Sequence, residues 1–243
     1  LDRGQQAPFD GRFTSDAETV GHNLTLEYQL NDATTLKSIS SYRSFEQDTI
    51  CNLTGNGVMR GPVLDPVTFQ FAGIQDLNGP YNCHNAPQRQ FQYSGELQLL
   101  GNTEQWSYVA GVFYFFERAS EYNLQRFTFV LPGGGAALNL SPVSSFGGET
   151  TSKAAFGQVS YRPAALAGKL ELTGGLRYTQ DDKEFFSSLF LQPGNASSSN
   201  TSGLVSANYQ FTDDVMGYAR VSTGYKAGGF SPRAPFLAKF DPE

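Results

Sequence analysis

The sequence predicts an all-β chain: an antiparallel transmembrane β-barrel segment of about eight strands, with short turns at one end and long loops at the other. Three observations carry this. Apolar and polar residues alternate with period two over stretch after stretch, as strands require. Aromatic residues make up 14% of the 243 residues and charged residues only 16%, with 26 glycines, a composition suited to strands and turns. The connections between the alternating stretches run short, then long, in turn.

The first strand is "HNLTLEYQL", with Leu24, Leu26, Tyr28 and Leu30 on one face against Asn23, Thr25, Glu27 and Gln29. Asn31 and Asp32 then supply a tight turn. In the second, "TLKSISSYRSFEQ", Leu36 and Ile39 fall on opposite parities, for which a bulge is one explanation. The third, "QFQYSGELQLL", alternates most cleanly, and "GNTEQ" turns it into the fourth, "WSYVAGVFYFFER". The fifth covers roughly 153–161 and ends in Tyr161 before "RPAALAG". The sixth, "KLELTGGLRYTQ", sets Leu170, Leu172, Leu176 and Tyr178 against Glu171, Thr173, Arg177 and Thr179. The seventh is 203–211. "TDD" leads from it to the eighth, "MGYARVSTGYKAGGF", where Val215, Ala219, Val221 and Tyr225 oppose Arg220 and Lys226 and the strand gives way to Gly228 and Gly229.

Short connections sit near 31–32, 101–105, 162–168 and 212–214, and long ones near 49–88, 119–150 and 187–201, with another from 227. A soluble β-sandwich, the third reading, has no reason to gather every long loop at one end. Outer-membrane barrels have short periplasmic turns and long extracellular loops. The fourth strand adds a second argument. Along one face Trp106 and Tyr108 lie next to the short turn, Ala110 and Val112 in the middle, and Tyr114 and Phe116 toward the long loop. That is an apolar band between two aromatic girdles. Tyr28, Tyr161, Tyr209 and Phe211 would join one girdle, Tyr178 and Tyr225 the other.

Several function classes fall away. A net charge of −6 leaves no basic field for nucleic acid. No apolar run approaches the roughly 20 residues of a membrane helix, which closed barrels do not need. Two histidines, His22 and His84, leave little for acid–base or metal chemistry, and no nucleophile pattern stands out, so no catalytic residue and no cofactor is expected. The N-terminus "LDRGQQAPFD" lacks a signal-peptide core and the chain ends "FDPE" without a closing aromatic, so an excised or internal segment is expected.

"YQFTDDVMGYARV" followed by "STGYKAGGF" resembles the late-barrel segment of TonB-dependent outer-membrane receptors. "LTGGLRYTQDDKEF" is similar to that family's recurrent strand, and "YSGELQLLG" with "WSYVAGVFYFFER" to one of its hairpins. The resemblance covers roughly 20–230 in the family's order. It implies a barrel of about 22 strands plugged by an N-terminal domain. It also implies uptake of a nutrient such as a ferric siderophore, driven by the TonB complex through an N-terminal part. On this reading residues 1–243 form part of a single transmembrane barrel domain, in the bacterial outer membrane and its lipid, with the plug and remaining strands absent. A stand-alone eight-stranded outer-membrane barrel with a structural or adhesive role is the leading alternative.

Glu27, Glu96, Glu171, Arg177, Arg220 and Lys226 are expected to face the lumen, because a Lys or Arg near the lipid midplane costs about 2–4 kcal/mol. They would contact a plug, line the substrate route, or form a solvated wall. The loops "DPVTFQFAGIQDLNGPYN" and "EYNLQRFTFVLPGGG" offer Phe69, Phe71, Tyr81, Tyr122, Arg126, Phe127 and Phe129 for stacking on or clamping an iron chelate or other small nutrient. Loop-on-loop packing is the plainer account of them, since tall strands rising above the membrane need it. Cys51 and Cys83 share one long loop, where an oxidising compartment would favour a disulfide. A metal site of these two with His84 lacks a fourth ligand.

Overall fold

The computed structural model describes residues 14–52, 60–77, 82–84, 87–133, 135–188, 194–231 and 238–243. Long strands dominate: β1 (Thr14–Asn31), β2 (Thr34–Asn52), β6 (Gln88–Asn102), β7 (Trp106–Val130), β9 (Val143–Tyr161), β10 (Leu170–Ser187), β11 (Gly194–Gln210) and β12 (Met216–Ser222). Each pairs antiparallel with its neighbour in sequence, so this path forms an up-and-down meander. These are the eight expected strands. The sheet nonetheless has twelve, because short strands β3 (Arg60–Leu64), β4 (Phe71–Asp76), β5 (Asn82–His84) and β8 (Ala137–Leu140) extend it at the long-loop end. β13 (Gly229–Ser231) and β14 (Ala238–Phe240) form a separate pair. Among the described residues β1 and β12 do not pair with each other, so the sheet is an open barrel wall.

Register sorts the two faces. One row of cross-strand partners runs Tyr28, Leu36, Leu99, Ala110, Gly157, Leu176, Gly203. The next, on the opposite face, runs Glu27, Lys37, Gln98, Gly111, Phe156, Arg177, Ser202. The first face is apolar yet exposed: Leu26 is 59% accessible, Leu176 67% and Val221 78%. Apolar surface of this extent left bare marks a face made for a non-aqueous or protein neighbour. The second face is polar, and much of it is half-buried.

Two of the short turns are held by their own side chains and two by backbone geometry. Asn31 Oδ1 accepts the Ala33 N–H at 3.0 Å, and Thr103 Oγ1 accepts the Trp106 N–H at 3.0 Å. A short 3-10 turn, Ala164–Leu166, ends with Ala167 at φ 50. Phe211 N–H donates to Val215 O at 2.9 Å across the last of these turns.

Five sequence expectations need correction. β2 carries no bulge, since its ladders to β1 and β6 run unbroken; the irregularity lies between Gln29 and Asn31 of β1. Ile39 simply faces the polar side, opposite Thr25 and Glu96. Much of the expected long loops is strand: β7 continues to Val130, β9 starts at Val143, and only 188–193 separate β10 from β11. The eighth strand ends at Ser222, so Lys226 lies outside it; its backbone pairs with Glu243 and its Nζ lies 5.9 Å from the Phe240 ring centroid. Tyr225 leaves the girdle, its hydroxyl donating to Ser198 Oγ at 2.8 Å on the polar face. Gly228 and Gly229 are buried against Phe240, where a Cβ would come within 2.8 Å of other atoms, so close approach rather than release from the sheet explains them.

Candidate functional site

Two aromatic belts frame the apolar face. At the short-turn end Trp106 meets Tyr161 with ring centroids 4.3 Å apart, and Tyr209 meets Phe211 edge-on at 4.9 Å. At the other end Tyr93 stacks between Tyr114 at 5.7 Å and Phe116 at 5.4 Å, with Phe91 beside Phe116. From Trp106 to Phe116 the strand rises about 34 Å, which a tilt of about 40° reduces to about 26 Å, matching the roughly 25 Å apolar band of outer-membrane barrels.

The polar face carries an ordered network. Glu27 pairs with Lys37 at 2.8 Å, and Glu96 accepts a close hydrogen bond from Gln98. Glu171 binds Arg162 Nε at 2.7 Å and Asn208 Nδ2 at 3.4 Å. Arg177 lies 5.3 Å from the Phe113 ring and 5.6 Å from Phe156, and its Nε donates to Thr179. Arg220 stands opposite Ser206, in line with Thr173 and Ser160. Five of the six residues expected to face the lumen thus share one side of the sheet; Lys226 sits off it.

The ligand candidates do not converge. Phe69 and Phe71 are exposed on the β3–β4 hairpin. Tyr122 and Arg126 have the parity of the apolar face, whereas Phe127 and Phe129 have the other and pair with Leu140 and Leu138 of β8. Tyr81 lies outside the described residues. These side chains stand on an annex whose core is Val63, Ala137 and Leu138, with β3 parallel to β8. Its hairpin turn is held by Asp65. The Thr68 N–H, then the Val67 N–H and the Thr68 hydroxyl, hold the Asp65 carboxyl below its ordinary value of 3.8. Cys51 and Cys83 are direct register partners of β2 and β5, while their side chains lie outside the described residues.

Sequence reading missed a cavity of about 400 Å3 on the polar face, toward the long-loop end. Its floor is the row Phe45, Gln90, Ala119, Gly148, Phe185. Small Ala119 and Gly148 between two phenylalanines leave the hollow, and Phe230 closes one side by stacking on Phe185 at 5.9 Å. Two small residues side by side in a row of larger ones were the signal, visible only once five strands were in register.

The family described as TonB dependent receptor-like, beta-barrel matches residues 1–243, the whole chain. The chain belongs to the TonB-dependent receptor β-barrel family. Barrels of this family are outer-membrane proteins of Gram-negative bacteria, and the family is one of receptors and transporters rather than enzymes. Solved TonB-dependent receptors share the fold. The ferric yersiniabactin uptake receptor FyuA from Yersinia pestis superposes with a TM-score of 0.66 at 20% identity, over 95% of this chain and 31% of that one. BauA, the ferric preacinetobactin receptor from Acinetobacter baumannii, gives 0.55 at 14%, over 94% and 34%. The ferric-catecholate import receptor Fiu from Escherichia coli, in its open form, gives 0.52 at 14%, over 86% and 35%. The chain therefore spans about a third of each receptor's length. No curated protein matches it in sequence.

Proposed function

We propose that this chain is part of the wall of a TonB-dependent importer of a small nutrient, with a ferric siderophore as the substrate class. The observation that carries this is the partition of one family barrel wall into a belted apolar face and a networked polar face. The first is set against outer-membrane lipid, the second lines a lumen. Residues 1–243 then form part of a single barrel domain. The plug, the segment that engages the TonB complex and the remaining strands lie elsewhere on the polypeptide. Glu27, Glu96, Glu171, Arg177 and Arg220 line the route, and the exposed aromatics Phe69, Phe71 and Tyr122 with Arg126 make first contact with the chelate outside the cell. Phe127 and Phe129 support them through β8. No step calls for a catalytic group.

The register also supports a Cys51–Cys83 disulfide. Direct partners in an antiparallel ladder have Cα atoms about 4.5–5.5 Å apart, inside the range a disulfide spans. It would close the annex loop outside the cell.

Deleting the gene in the source bacterium and supplying ferric siderophores as sole iron source tests the proposal. Loss of radioiron uptake from at least one chelate, restored by the wild-type gene and not by one lacking residues 53–87, is the expected result. Unchanged uptake across hydroxamate, catecholate and mixed chelates would count against iron. The stand-alone eight-stranded barrel is disfavoured by the unpaired β1 and β12 edges, since closure would require them to meet.

A further inference from the structure

The cavity floored by Ala119 and Gly148 has a definite chemical character. Phe45, Phe146, Phe185 and Phe230 supply most of its wall. Its polar groups on that face are the amides Gln88 and Gln90 and the carboxylate Glu121. Gln88 donates to Glu121 at 3.3 Å, and Gln90 to Glu117 at 2.9 Å and to Gln92 at 3.4 Å, so both amide nitrogens are turned to acceptors and the amide oxygens offer acceptor sites.

The nearest cations are tied to carboxylates or set one row back. Arg89 borders the cavity from the opposite face, tied to Glu46 and Asp48 at 3.3 Å. Arg43 and Lys183 share the cavity's face one row toward the short turns, with Glu117 between them in that row. A multiply charged anion entering here would lose water to four aromatic rings and meet acceptors rather than donors. An uncharged ligand with apolar surface and N–H groups would lose little and could donate to the Gln88, Gln90 and Glu121 oxygens.

We infer that this cavity binds an electrically neutral chelate bearing N–H or O–H donors in preference to an anionic one. The inference rests on the proposed uptake of ferric chelates and assigns their charge class. Binding of two probes to the purified full-length receptor tests it: a neutral ferric cyclic-peptide trihydroxamate and a trianionic ferric tris-catecholate, measured by calorimetry at low and high salt. The neutral complex is expected to bind at least about tenfold tighter, with little salt dependence. Phe185→Ala should weaken it about tenfold. Gln90→Lys, which adds a cation on a half-exposed strand, should narrow the gap between the probes. Equal or tighter binding of the trianion overturns the charge assignment and leaves the receptor reading standing. A neutral preference untouched by both variants overturns the site. If neither probe binds, uptake of ferric chelates falls, and this inference falls with it.

Discussion

At the β3–β4 turn a single carboxylate accepts two backbone N–H groups and a hydroxyl, and that geometry sets both the shape and the pH response of the hairpin. Because these bonds favour the ionised form, the Asp65 pKa is lower in the folded turn than in an unfolded chain. Their contribution is therefore present above the ordinary aspartate value and lost as pH falls through the lowered one. Amide exchange at Val67 and Thr68, corrected for intrinsic rate, should accelerate only in that acidic window. Asp65→Ala should accelerate it at neutral pH as well, and Asp65→Asn, which keeps Oδ1, should do so less. Directly after the hydrogen-bonded amides, Phe69 holds φ 58, a left-handed backbone that costs a side-chain-bearing residue about 1–2 kcal/mol. Phe69→Gly is expected to slow exchange of the same amides; faster exchange would show that the ring itself packs the turn.

Strands are held here by what crosses between them. Gly111 of β7 lies under the Phe156 ring of β9, and a Cβ there would stand 2.6 Å from Leu97 O and 2.7 Å from Phe156. Gly95, on β6, has open space at the same position. Gly111→Ala should destabilise the sheet by about 1–3 kcal/mol in urea unfolding, whereas Gly95→Ala should be close to neutral. The two faces separate in the same way. Leu97→Arg places a cation in the middle of the apolar band and should cost about 2–4 kcal/mol in folding into lipid vesicles. Gln98→Arg, one residue along on the polar face, should cost far less. Equal penalties would contradict the assignment of the apolar face to lipid. For β2 and β5, non-reducing peptide mapping should recover the segments around Cys51 and Cys83 as one linked species.

The molecule as a whole is a wall with two open edges. Among the described residues eight long strands meander without returning to the first, and β1 and β12 each present an edge with no partner strand there. Such edges pair with whatever strand is offered. Expressed alone and folded in detergent, the 243-residue chain is expected to self-associate, while the native polypeptide should run as an outer-membrane band several times longer. A monodisperse monomer of the isolated chain would imply that the edges close on each other. The chain's cover of about a third of FyuA, BauA and Fiu is the same fact seen by superposition.

The sequence by itself determined the eight long strands, their order and most of their faces, because period-two alternation is written residue by residue and a one-residue slip would turn every side chain over. Leu97 against Gln98, and Trp106 through Phe116, could be assigned from neighbours alone. Quoted motifs sufficed for the family. The tertiary structure decided what depends on partners far apart in the chain. Ile39 looked like a bulge until Glu96 and Thr25 stood opposite it. Tyr225 left the girdle because Ser198 was within reach, and β7 ran on to Val130 because β8 and β9 paired with its end. The hollow between Phe45 and Phe185 exists only when Ala119 and Gly148 fall in one row, which no single strand records. Alternation is a local property of a chain; a cavity is a property of register.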